Sequence, residues 1–164
     1  MGTLKAGQRA PAFSLKGTDG HPYASSDALG RGPLLLAFFK VSCPTCQYTF
    51  PFLERIYQQF RQQGIQVWSV SQDNARDSQT YARECNVTFP VLIDDYPYAT
   101  SRSYEIKYVP TIFLIKPDAH VELMTDGFAK ADLLAIQKWF GKHFAINPPS
   151  LFLPNERVPE FKPG

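Results

Sequence analysis

The chain has 164 residues, 44% hydrophobic and 20% charged, enough for one domain with a full core and short of two. A net charge of +2 with no basic run gives neither nucleic acid nor an anionic membrane a footing as partner. No apolar stretch approaches the ~18 residues of a spanning helix, and Met1 to Gln8 lacks the apolar segment of a secretory signal.

Ala12-Phe13-Ser14-Leu15, the turn residues Gly17-Thr18-Asp19-Gly20 and His21-Pro22-Tyr23 predict an N-terminal β-hairpin. A short turn or helix from Ser25, ended by Gly30 and Gly32, follows. Leu34 to Phe39 is a continuous apolar run of strand length, as expected of a strand buried on both faces. Pro44 suits the first turn of a helix whose apolar face carries Phe50, Leu53, Ile56, Tyr57 and Phe60 and ends near Gly64. Pro51 should kink that helix, since it cannot donate a hydrogen bond and crowds the preceding turn. Ile65 to Val70 alternates as a strand, Asp73 to Cys85 suits a helix, and Phe89 to Ile93 a short strand. Tyr98 to Tyr108 is expected to be helical. Thr111 to Ile115 and His120 to Met124 then read as antiparallel strands about the turn Lys116-Pro117-Asp118-Ala119. Lys130 to His143 closes the fold as an amphipathic helix. The fold class is α/β, a mixed central sheet flanked by helices. The domain is expected over residues 1–145. Five of the last 19 residues are proline, so 146–164 is expected to be an extended tail, lying on the domain or in solvent.

Cys43-Pro44-Thr45-Cys46 stands where the buried strand meets the long helix. Cysteines three apart on one helical turn can close a disulfide with little backbone movement. The first also faces the positive end of the helix dipole, which favours its thiolate and lowers its pKa below ~8.5. Cys43 is thus the candidate nucleophile, and Cys46, one turn further in, the resolving thiol. Two other readings of the pair are packed structural cysteines and a zinc site. Zinc needs two further ligands, and Cys85, His21, His120 and His143 are not paired at ligand spacing. Cys85 reads as a buried, inert thiol. Lys40, three residues before Cys43, is a solvated strand end or a charge that tunes the thiolate.

Together these residues resemble the thioredoxin-fold superfamily, and within it the TlpA-like and AhpC/TSA redoxins, over residues 5 to 143. The resemblance rests on the strand running into Cys43-Pro44-Thr45-Cys46, on Pro51 five residues after Cys46, on Val87-Thr88-Phe89-Pro90-Val91-Leu92, and on Tyr108-Val109-Pro110-Thr111 before an apolar strand. It implies a cis Val109–Pro110 bond beside the cysteines, with Val109 backbone groups pairing with an extended substrate peptide. Ser42 stands where relatives often carry Trp, and Ala37 where thioredoxin has a buried acid, so no proton acceptor for Cys46 is identified. The implied activity is thiol–disulfide exchange with protein thiols and disulfides. It requires no bound cofactor and no metal, only an external reductant.

Two rivals remain. A peroxiredoxin-like thiol peroxidase would require Pro and Thr or Ser where this chain has Leu36 and Lys40. The other is a redox-sensing or metal-delivery interaction module, of which a copper carrier of the related Sco type would use a longer C-x-x-x-C pair with a placed histidine. The odd cysteine count and the absence of an export signal favour the cytoplasm, and a signal removed beforehand would make the site periplasmic or exported.

Overall fold

The computed structural model describes residues 2–164. Strand β1 (Ser14–Gly17) turns back antiparallel as β2 (Pro22–Ala24), which runs directly into helix α1 (Ser25–Arg31). Strand β3 (Leu34–Phe39) follows, and every one of its six residues is buried. Its alternating side chains enter two separate cores, which is why the run is apolar throughout rather than every second residue. Leu35, Ala37 and Phe39 pack with helix α2 (Pro44–Phe60), helix α3 (Ala75–Glu84) and helix α5 (Lys130–Phe144). Leu34, Leu36 and Phe38 pack with Ala28 of α1, Trp68, Tyr104 and Phe113 on the opposite face.

The main sheet is completed by β4 (Gln66–Ser71), β5 (Val91–Ile93), β6 (Thr111–Ile115) and β7 (Val121–Asp126). The order across the sheet is β2-β1-β5-β4-β3-β6-β7. β3 pairs in parallel with β4 and antiparallel with β6, and β5 joins β4 in parallel. The sheet is therefore mixed, with β3 near its centre and helices on both faces. The carboxyl end of β3 delivers the chain to Cys43 at the start of α2.

Helix α2 continues through Pro51. Phe50, Leu53, Ile56 and Phe60 are fully buried along it, so tertiary packing outweighs the hydrogen bond that proline cannot make.

Two elements are shorter than their sequence patterns predict. α3 begins at Ala75 rather than Asp73, because the Asn74 side chain accepts the Asp77 N–H at 2.8 Å and caps the helix there. The expected helix over 98–108 is only α4 (Ala99–Ser103). Glu105 adopts a φ of 51° and breaks the helix. Tyr104 is drawn wholly into the core, where its hydroxyl donates to the Pro11 carbonyl at 2.7 Å.

Residues 146–164 lie against the domain. Leu151 is 1% exposed, and Phe152 packs edge-on to Phe52 at 5.1 Å. The Arg55 guanidinium clasps the Glu156 carboxylate through two bonds of 2.6 and 2.7 Å. Beyond it, β9 (Phe161–Lys162) pairs antiparallel with β8 (Phe128–Ala129), a small second sheet that the proline-rich composition does not foreshadow.

Candidate active site

Cys43 is the N-cap of α2, in extended backbone conformation. The Cys46 N–H donates to its sulfur at 3.0 Å. That bond and the helix dipole both stabilise negative charge on Cys43 Sγ when the pair is reduced. Cys43 and Cys46 are joined as a disulfide, their Cα atoms 5.3 Å apart. Cys43 is 9% exposed and Cys46 is completely buried, so an outside sulfur can reach only the first.

The loop from β3 into α2 is held by groups outside the motif. The Cys43 N–H donates to the Lys40 carbonyl at 3.1 Å, closing a tight turn. The Val41 N–H donates to the Asp73 carboxylate at 2.9 Å. The Tyr81 hydroxyl donates to the Cys43 carbonyl at 3.2 Å while its ring stacks on Phe39 at 5.3 Å. Burial pushes the Tyr81 hydroxyl well above its ordinary value, so it remains a donor. Burial likewise raises the neighbouring Cys85 thiol, which keeps it protonated and a poor nucleophile. Asp73 and Tyr81 are functional neighbours that the motif reading misses. Tyr81 lies on α3, and its hydroxyl contact spans 38 positions.

The Val109–Pro110 bond is cis, as the resemblance implies. The Val109 carbonyl oxygen lies 3.3 Å from Cys43 Sγ. Cys43, Cys46, Val109 and Pro110 thus gather at one place, although 66 positions separate Cys43 from Val109. Lys40 contributes its backbone to the turn. Its side chain is exposed, and no hydrogen bond or ion pair among the described residues links it to the sulfur. Among the described residues no three His, Cys, Asp or Glu side chains gather where a metal ion could be held. None of the helices described is long and apolar enough to cross a membrane.

The site also holds the tail. The Thr45 hydroxyl donates to the Pro163 carbonyl at 2.7 Å, and Gly164 lies directly against the Val109 carbonyl.

Comparison with known proteins agrees with this geometry. The thiol–disulfide oxidoreductase ResA of Bacillus subtilis is 29% identical over 126 residues, covering 76% of this chain and 69% of that protein. A Helicobacter pylori protein assigned as the peroxiredoxin bcp is 28% identical over 95 residues, a shorter match covering 58% and 62%. The crystal structure of a Chlorobium tepidum protein assigned as the thiol:disulfide interchange protein DsbE superposes with a TM-score of 0.76 at 29% identity. That match covers 87% of this chain and 99% of the other. The AhpC/TSA family model matches residues 6–124, and with its thioredoxin-like sheet and its Cys43–Cys46 pair the chain belongs to the AhpC/TSA family, as a TlpA-like redoxin.

Proposed function

We propose that the chain is a thiol–disulfide oxidoreductase in which Cys43 attacks and Cys46 resolves. The observation that carries this reading is the pairing of a cysteine that keeps 9% exposure at a helix start with a completely buried one a single turn away. In the reductive direction the Cys43 thiolate attacks one sulfur of a substrate disulfide. The substrate S–S bond breaks, its other sulfur leaves as a thiolate, and a mixed disulfide to Cys43 remains. Cys46, as thiolate, then attacks Cys43 Sγ. This releases the second substrate thiolate and leaves the Cys43–Cys46 disulfide, two electrons having passed to the substrate. An external reductant returns them.

The substrate is proposed to be an extended protein segment, pairing with the Val109 backbone beside Pro110. The position of the Val109 carbonyl next to Cys43 Sγ supports this, because a strand docked there presents its own sulfur to the nucleophile. Peroxide chemistry is supported less. Leu36 is fully buried in the core on the opposite sheet face, and Lys40 is exposed with no hydroxyl to offer. Neither supplies a donor for an oxygen that gains charge as O–O breaks. The free, buried Cys85 and the lack of a structural bridge among the described residues suit the cytoplasm as compartment. Fractionation that found the native gene product in an exported pool would overturn that placement.

The test compares two substrates under one reductant. The protein is expected to reduce a peptide or insulin disulfide in multiple turnovers and hydrogen peroxide poorly, with Cys43→Ser inactive on both. Fast peroxide turnover with negligible disulfide exchange would replace this reading by the peroxidase one.

A further inference from the structure

The docking edge proposed for the substrate is already occupied by the chain itself. Gly164 sits so close to the Val109 carbonyl that a Cβ there would collide with its oxygen and lie 2.9 Å from its carbon. One residue earlier, the Pro163 carbonyl accepts from Thr45, which lies between the two cysteines in the first turn of α2. Two residues earlier, Lys162 pairs with Phe128, and its Nζ lies 4.8 Å from the centre of the Tyr48 ring. Gly127 accommodates this path. It adopts a φ of 69°, and a Cβ there would meet the Lys162 carbonyl oxygen at 2.5 Å. The Gly164 backbone therefore lies on the Val109 backbone beside Cys43, the place proposed for an extended substrate.

The two halves of the tail are held unequally. Upstream, Leu151 is buried and Arg55 clasps Glu156 through two bonds. Downstream, β8–β9 is only two residues per strand, and all four residues from Phe161 to Gly164 are exposed on their outer side. Besides that pairing, the Glu160 carbonyl accepts the Lys130 N–H at 3.0 Å, the exposed Glu160 carboxylate lies 4.0 Å from Lys130 Nζ, and Thr45 holds Pro163. Lifting the segment from about Pro159 onward would break only these contacts and leave Leu151 and the Arg55–Glu156 clasp in place.

We propose that residues 159–164 are a displaceable strap, an internal stand-in for the extended peptide substrate that competes with it for the Val109 edge. The proposal rests on the disulfide-exchange reading of the site. A substrate binds only the fraction of molecules whose strap is lifted, so its apparent affinity falls in proportion to that fraction. Small disulfides and alkylating agents, which need the Cys43 sulfur but no docking strand, are affected far less. The strap therefore selects for protein substrates able to displace a bound strand.

The experiment compares the full chain with a form ending at Val158, which keeps Leu151 and the Arg55–Glu156 clasp, and with full-length Lys162→Pro, which cannot donate to the β8–β9 pair. For a peptide disulfide, kcat/KM is expected to rise about tenfold or more in both variants, as for a lifted fraction near one in ten. Reduction of a small aromatic disulfide should change less than about twofold. A peptide rate unchanged or lowered in both variants, with the small-disulfide rate intact, would overturn the strap and leave the oxidoreductase reading standing. If none of the three proteins reduces any disulfide, that reading fails. The strap is then judged on the reduced proteins by the rate at which Cys43 reacts with a peptide-borne maleimide relative to iodoacetamide. The ratio should rise on removing the strap, and an equal ratio in all three proteins would refute it.

Discussion

Cys43 owes its placement as much to Asp73 and Tyr81 as to its own motif. Asp73 fixes the Val41 N–H, and Tyr81 holds the Cys43 carbonyl, which also accepts the Gln47 N–H at 3.2 Å. Asp73→Ala removes the carboxylate that accepts the Val41 N–H. It is expected to cost about 1 kcal/mol, the usual net worth of a hydrogen bond, because this donor is only part-buried. Disulfide exchange should slow as the turn into α2 loosens. Denaturant unfolding beside single-turnover reduction checks both, and a fully active, equally stable variant would show that the turn needs no such tether. In Tyr81→Phe, Gln47 still serves the carbonyl and the ring still stacks on Phe39. It should cost about 1 kcal/mol in the same unfolding measurement, and a loss several times larger would mean the hydroxyl does more than hold this bond. The cysteine pair is readable from local pattern, and Val109–Pro110 from the resemblance to the redoxins. Asp73 and Tyr81 are not, because hydrogen-bond partners 32 and 38 positions away leave no local signature.

At the scale of elements, α2 carries the site and is itself carried by its buried face. Leu53 and Ile56 are completely buried against the core that β3 shares with α5. Leu53→Ala should cost about 2–5 kcal/mol through lost burial and the cavity left behind. A loss below about 1 kcal/mol, well under that range, would show that α2 is not held by this face. The long apolar patterns of β3, α2 and α5 were legible because burial dictates every residue of β3 and one face of each helix. α4 was not. Residues 98–108 contain no glycine or proline to mark a break, and the helix ends because Tyr104 finds its place in the core and Glu105 turns into the left-handed region. Tertiary packing there overrides local propensity.

Across the whole molecule, the tail links the end of the chain to its active site. Its proline content suggested extended structure, and nothing local revealed that Leu151 and Phe152 would bury against α2 and β8, about a hundred positions away in the case of Phe52. The Arg55–Glu156 clasp gives this attachment a pH dependence. Bonds from the Arg55 guanidinium and then the Leu153 N–H hold the Glu156 carboxyl down at about 2, against an ordinary 4.5. A carboxyl depressed in the folded state contributes stability above its unfolded value and loses it as pH falls through the folded one. The stability difference between the native chain and Glu156→Gln should therefore be full above pH 4.5 and shrink as pH drops toward 2. A difference that stays constant through that window would mean the carboxylate is not held by Arg55 in solution.

The division of labour between the two sulfurs is tested most directly by trapping. Reduced Cys46→Ser, mixed with a peptide disulfide, should accumulate a covalent adduct of one peptide per chain. Intact mass followed by peptide mapping should place that adduct on Cys43 and leave Cys85 unmodified. No adduct, an adduct on Cys85, or multiple turnovers as fast as those of the native pair would contradict the account.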